Sequence, residues 1–205
     1  NNIKLIFDEC TTGFRHNFGG LHKKINVIPD IAIFGKTLGN GYAINAIIGK
    51  SKFMSNVTST FISSTFWGER IGYAAALKSL EVMEKTKSWK KINMLGTKII
   101  KKLKDLSRLY NVKMHISEMP SIIKFNFTSI NNLNYMTLIT QEMLKKRILA
   151  TSSIYISCSH DSKILKKYFS VLKKIFSIIK KCESGEDINN YLEAPVAKQF
   201  IKRLN

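Results

Sequence analysis

The chain of 205 residues is poor in proline, cysteine and acid: three Pro, three Cys, and 14 Asp plus Glu against 33 Lys plus Arg. Cys10, Cys158 and Cys182 are odd in number and widely spaced, so neither a disulfide framework nor a CxxC metal knuckle is implied. No apolar run approaches the roughly 18 residues that span a bilayer, and no basic segment followed by an apolar stretch opens the chain. The sequence therefore reads as cytoplasmic, with no membrane partner. His16, His22, His115 and His160 fall into neither HxxH nor HExxH spacing, and no metal site is expected. Arginine is also scarce, and no RNP, KH, zinc-finger or helix-turn-helix pattern accompanies the net charge of +19. The positive charge is mostly Lys, spread among Ile and Asn, and reads as solvated faces rather than a specific nucleic-acid site.

What is present is patterned. NIKLIFDE is a short apolar run of the buried-strand kind, TTGFRHNFGGLHKKINVIPD a polar, Gly-rich loop, and DIAIFGK a second run ending in Lys36. TLGNGY is a Gly-punctuated turn and AINAIIGK a third strand. Two parallel-type strands thus deliver Asp8 and Lys36 to loops at their carboxyl ends, where open α/β sheets place ligands. An Ala-rich helix is expected from about Glu69 or Arg70, breaking near Thr86 to Ser88, and a second carries Ile92, Leu95, Ile99, Leu103 and Leu106 at helical spacing. Beyond it, VKMHISEMPSIIKFNFT alternates as strands around Pro120, NYMTLITQEMLKKR reads as a helix and ILATSSIYISCS as a strand. The amphipathic helix DSKILKKYFSVLKKIFSIIKKC comes last. Its lysine-opposite-apolar pattern suits a membrane-surface or calmodulin-target helix, but the strands just upstream need a cover, and docking on that small sheet is the expected role. The division expected is an α/β segment over 1–87 and an α+β segment over 88–205.

Asp8 and Lys36 are the pair with chemistry in it. An aspartate beside a heteroaromatic nitrogen keeps it protonated, and a lysine amine can form a Schiff base with an aldehyde; pyridoxal phosphate needs both. By spacing alone, a salt bridge or a solvated loop explains the two residues equally well.

LIFDECTTGFR followed by PDIAIFGKTLGNGY resembles the class III aminotransferases, the group that includes glutamate-1-semialdehyde aminomutase. The resemblance continues through AINAIIG, STFWGERIGYAAALKSLEVME and QEMLKKRILATSSIYISCSHDSKI, and the tail APVAKQFIKRLN is similar to that of members tied to amino-sugar or surface-polysaccharide metabolism. It implies a fold-type-I α/β architecture: the carboxyl-terminal part of a cofactor-binding large domain, with a partial, mostly parallel sheet, plus a small α+β domain. It also implies pyridoxal 5'-phosphate as cofactor, with Lys36 as the Schiff-base lysine and proton shuttle and Asp8 on the pyridinium nitrogen. Thr65 falls where the family places a threonine that reaches the phosphate of a neighbouring subunit, though a threonine there also suits a helix cap. Glu9 matches the family's second acid, for which a loop-orienting role stands beside direct contact. Cys10 replaces a usual Val packed on the ring face. Ala43 and Asn45 depart from the usual Pro and Ala.

The activity implied is amino transfer between a small-molecule amino donor and a carbonyl acceptor, in a homodimer with shared active sites. The rival within enzymes is a glutamate-1-semialdehyde-type 2,1-aminomutase. Outside enzymes it is a non-catalytic remnant or a basic binding protein. Family members run to about twice this length, in keeping with two domains, so a fragment or half of a split gene is expected, its open sheet edge prone to aggregation.

Overall fold

The computed structural model describes residues 3–197. Of the tail APVAKQFIKRLN, residues 198–205 lie outside the described residues. Two compact units are present, Asn1–Asn93 and Met94–Asn205.

In the first unit, short apolar runs cut by Pro29 and by Gly-rich turns make short strands. β1 (Ile6–Asp8) leads through the long loop that contains α1 (Leu21–Lys24) to β2 (Ile31–Phe34), and β3 (Ala46–Gly49) completes the sheet in the order β1-β2-β3. β1 lies parallel to β2, with Ile6 opposite Ile31 and Asp8 opposite Ile33. β3 returns antiparallel. The sheet is therefore mixed rather than mostly parallel among the described strands, because the connection after β2 holds no crossover helix to carry β3 around to a parallel position. Asp30 gathers the strands at their opposite end, accepting from Leu5 N–H at 3.0 Å and from Lys50 Nζ at 2.8 Å.

Side chains alternate across the sheet. Ala32 and Phe34, with Phe7 packed against them, form a core with Leu38 and with Ala76 of α3 (Arg70–Thr86), which follows the short α2 (Ser51–Met54). Ile6, Asp8, Ile33 and Ile47 fall on the opposite face, where Ile6 and Ile47 are more than half exposed. The run Ala74–Ala76 favours helix, and α3 ends where Lys87 adopts a left-handed conformation, φ 51. That residue is the expected break, and α4 (Ser88–Tyr110) starts directly after it.

The second unit holds the carboxyl-terminal part of α4, then β4 (Met114–Ile116), β5 (Ile122–Phe127), α5 (Asn132–Leu144), β6 (Ser153–Tyr155) and α6 (Ser162–Glu183). The three strands are antiparallel in the order β4-β5-β6. Asp161 caps α6 by accepting from Ile164 N–H at 2.7 Å, a bond that supplies one of the helix's orphan donors. The predicted apolar stripe buries Tyr168, Leu172, Ile175, Phe176 and Ile179, while Ile164 in the first turn remains about half exposed. Phe176 packs on Phe127 of β5, ring centres 5.8 Å apart, so α6 docks on the small sheet. Each such buried side chain contributes about 1.5–3 kcal/mol. β6 is shorter than ILATSSIYISCS suggested, because hydroxyls take over its flanking amides: Thr151 Oγ1 accepts from Ser153 N–H and Ser157 Oγ from Ser159 N–H. No described helix is long and apolar enough to cross a membrane.

Candidate active site

Parallel strands open their carboxyl ends on the same side, and Asp8 and the turn carrying Lys36 arrive there from neighbouring strands. Glu9 N–H donates to Ile33 O at 2.8 Å, carrying the ladder one residue past Asp8. Asp8 is exposed, and its Oδ1 accepts from Cys10 N–H at 3.0 Å. That bond, then the Cys10 side chain and the charge of Lys36, hold its carboxyl below the usual aspartate value, so it stays ionised.

Lys36 is exposed, and its backbone is left-handed with φ 43. For a residue with a Cβ this conformation costs on the order of 1–2 kcal/mol. Two turn bonds hold it: Leu38 N–H to Gly35 O at 3.0 Å and Asn40 N–H to Lys36 O at 2.9 Å. Gly35 lies beneath them, where a Cβ would come within 2.3 Å of Asn45 Oδ1 and 3.3 Å of Cys10 Sγ and would push the Asn45 side chain aside. Lys36 Nζ donates to Thr11 Oγ1 at 2.6 Å. It forms no ion pair among the described residues. Directly after it, Thr37 Oγ1 is buried without a hydrogen-bond partner among the described residues.

Glu9 is placed differently from Asp8. Only 1% exposed, it accepts from the Thr12 hydroxyl, from His22 N–H at 2.9 Å and from His22 Nδ1 at 3.0 Å. Burial disfavours its charge, but these donors together outweigh burial and hold the carboxyl below the ordinary 4.5. Its oxygens are thus engaged in closing the loop that follows β1. Arg15 Nε adds a bond to Thr11 O at 3.1 Å, and Phe18 of the same loop stacks on Trp89 with ring centres 5.0 Å apart. His16 is buried with Nε2 3.0 Å from Lys24 Nζ; burial first, then that lysine, push its pKa below 6.5 and keep it neutral.

The other expected residues scatter. Cys10 is half-buried beside the Lys36 turn; burial and then Asp8 raise its thiol pKa, which leaves it protonated and poorly nucleophilic. Thr65 stands in an exposed turn and makes none of the bonds of the Asp8–Lys36 cluster. It does not cap α3 either, since Glu69 holds that position. Its neighbour Trp67 is also exposed, at 59%. Nothing in the spacing of Thr11, Thr12 and His22 shows that the loop folds back on Glu9. A groove of about 620 Å³ lined by His22, Val27, Pro29, Ala32 and Ile48 includes neither Asp8 nor Lys36.

A family model described as aminotransferase class-III matches residues 1–165. Among curated proteins, glutamate-1-semialdehyde 2,1-aminomutase of Methanosphaera stadtmanae is 33% identical over 145 residues, covering 69% of this chain and 34% of that protein. The 3-aminobutyryl-CoA aminotransferase of Cloacimonas acidaminovorans is 45% identical over 82 residues, covering 40% of this chain and 20% of that protein. Among solved structures, the PLP internal aldimine form of the FumI protein of Sphingopyxis sp. MTA144 superposes with a TM-score of 0.80 at 18% identity, covering 91% of this chain and 46% of that one. An omega-transaminase from Sphaerobacter thermophilus gives 0.74 at 18% identity, covering 85% and 44%. The chain spans less than half the length of each of these proteins, and the structural likenesses describe the fold.

Proposed function

The chain belongs to the class III aminotransferase family, and from that premise we propose that it carries the lysine-bearing part of a pyridoxal-phosphate-dependent enzyme that moves an amino group between a small-molecule donor and a carbonyl acceptor. The observation that carries this reading is the delivery of Asp8, and of a Lys36 with no ion pair among the described residues, to the same end of two paired parallel strands. The donor set fits the cofactor. An ionised carboxylate suits a protonated ring nitrogen, an accessible amine suits an aldehyde, and the Thr37 hydroxyl, without a partner among the described residues, leaves bonding capacity next to that amine. When bound, pyridoxal phosphate supplies the aldehyde and an electron-withdrawing ring. For its part, Asp8 would hold a proton on the ring nitrogen, and the Lys36 amine would take up and return a proton at Nζ. Glu9 positions the loop that carries Asp8's neighbours.

In finer detail, residues 1–87 belong to the cofactor-binding domain and 88–205 to the small domain, a reading supported by the two compact units. The working form is a cytoplasmic homodimer with shared sites, Thr65 serving the partner's; the exposed Phe61, Phe66 and Trp67 around Thr65, and three cysteines that form no disulfide among the described residues, support it. The likeness to the Methanosphaera protein favours a second reading, an aminomutase, which uses the same Asp8 and Lys36 but leaves the amine on one substrate.

The test is borohydride reduction in the presence of pyridoxal phosphate, followed by peptide mass mapping. Label at Lys36, lost in Lys36→Ala, is the expected outcome. Label elsewhere or nowhere overturns the proposal for this chain.

A further inference from the structure

Resting on that reading, we propose that Thr11 is a positioning residue for Lys36, its hydroxyl holding the lysine amine at the Asp8 end of β1 in readiness for an aldehyde. Both ends of the contact are fixed independently of it. Lys36 springs from a left-handed turn tied by Gly35 O and Lys36 O. Thr11 sits two residues past Glu9, whose buried carboxylate closes the loop on Thr12 and His22, and Arg15 Nε binds Thr11's own carbonyl. A β-branched side chain on so constrained a backbone has little χ1 freedom, so its Oγ1 marks a defined point, 2.6 Å from Nζ.

The chemistry of the holder matters as much as its position. A carboxylate in Thr11's place would grip the ammonium form and oppose the neutral amine that attacks a carbonyl carbon. A hydroxyl accepts from an ammonium and can also donate to an amine lone pair. It therefore steadies Nζ in either protonation state and releases it for one neutral hydrogen bond. The absence of an ion pair at Lys36 among the described residues, with Asp8 close enough to feel its charge, is the arrangement this role requires.

Two measurements on the full chain test this. In cofactor-free protein with labelled lysine and threonine, a nuclear Overhauser contact between the Lys36 Cε protons and the Thr11 methyl is expected; its absence overturns the positioning. The second is the rate at which Lys36 gains borohydride-fixed label from pyridoxal phosphate, where Nζ bonds the aldehyde carbon, water leaves and hydride fixes the bond. Thr11→Val, which keeps the shape and removes the hydroxyl, lowers that rate about tenfold, the scale of losing one neutral hydrogen bond, while Thr11→Ser stays within about twofold of the parent. Equal rates in Thr11→Val and the parent, or a Thr11→Ser variant as slow as Thr11→Val, overturn it. A parent chain that keeps the Overhauser contact yet gains no label at Lys36 strikes the proposed function instead, so the two failures are distinguishable.

Discussion

At the scale of the residue, two adjacent acids have separate duties. Asp8 stays outside and ionised, whereas Glu9 goes inside and is neutralised by geometry rather than by a proton. Replacing Glu9 by Gln removes charge-assisted bonds to Thr12 and His22 and should cost about 1–3 kcal/mol, the range for disturbing a buried hydrogen-bonded charge. The pH dependence has a definite sign. Glu9's carboxyl is held below 4.5, so its contribution is whole above that value and is lost as the pH falls through the folded-state value. His16 is held below 6.5, and its contribution likewise fades as the pH drops from 6.5 through its own lowered value. Melts followed by the fluorescence of Trp89, which stacks on this loop through Phe18, should fall in midpoint from pH 6.5 downward. In Glu9→Gln the midpoint should be lower at pH 7 and the slope below pH 4.5 shallower; an unchanged acid slope would remove Glu9 from this role. Lys36 and Asp8 were legible only because their flanking words resemble a known family. Thr11, Thr12 and His22 were illegible, since a hydrogen bond across 13 residues of loop has no period to betray it.

At the scale of the element, helices were easier to read than strands. The apolar spacing of α4 and α6 predicts the faces that are buried, and Leu103 and Leu172 in those stripes are wholly so. β6 is shorter than the alternation in ILATSSIYISCS predicts, because that alternation ignores the competition of its own hydroxyls for backbone amides. Gly96, inside α4, gives a sharp case of packing against propensity. A glycine in mid-helix costs roughly 0.5–1 kcal/mol relative to alanine, so propensity alone predicts that Gly96→Ala stabilises. A Cβ at that position would lie 1.8 Å from Pro120 O, a backbone atom with no rotamer to move. Gly96→Ala should therefore destabilise, by about 1–3 kcal/mol as overpacking does, and chemical denaturation of the variant decides the matter: a raised midpoint would show that the helix and the Pro120 turn do not approach.

At the scale of the whole molecule, burial and charge pull in opposite directions. Ile6, Ile28, Ile47, Ile48, Phe61 and Leu77 of the first unit are each more than half exposed, apolar surface that can drive self-association. The net charge of +19 opposes self-association through repulsion. Salt screens that repulsion, with a Debye length of about 10 Å at 0.1 M, and leaves the apolar attraction in place. Light scattering should therefore rise with added salt, and the double change Ile6→Lys, Ile47→Lys should suppress the rise while moving stability by only about 0.5 kcal/mol, as surface changes do. Scattering that falls with salt would assign the association to charge instead. The pairing of β1 with β2 has one more consequence. Asp8 and Lys36 are set apart by strand register, Asp8 opposite Ile33, and not by the length of chain between them. Insertions or deletions near Lys23 and Asn26 can then accumulate through descent without moving the two groups apart, whereas a single added residue inside Ile31–Phe34 would turn every later side chain of that strand to the other face. The site is thus inherited as a spacing between neighbouring strands, and the joining loop can change in length only where it leaves the contacts of Glu9, Thr11 and His22 in place.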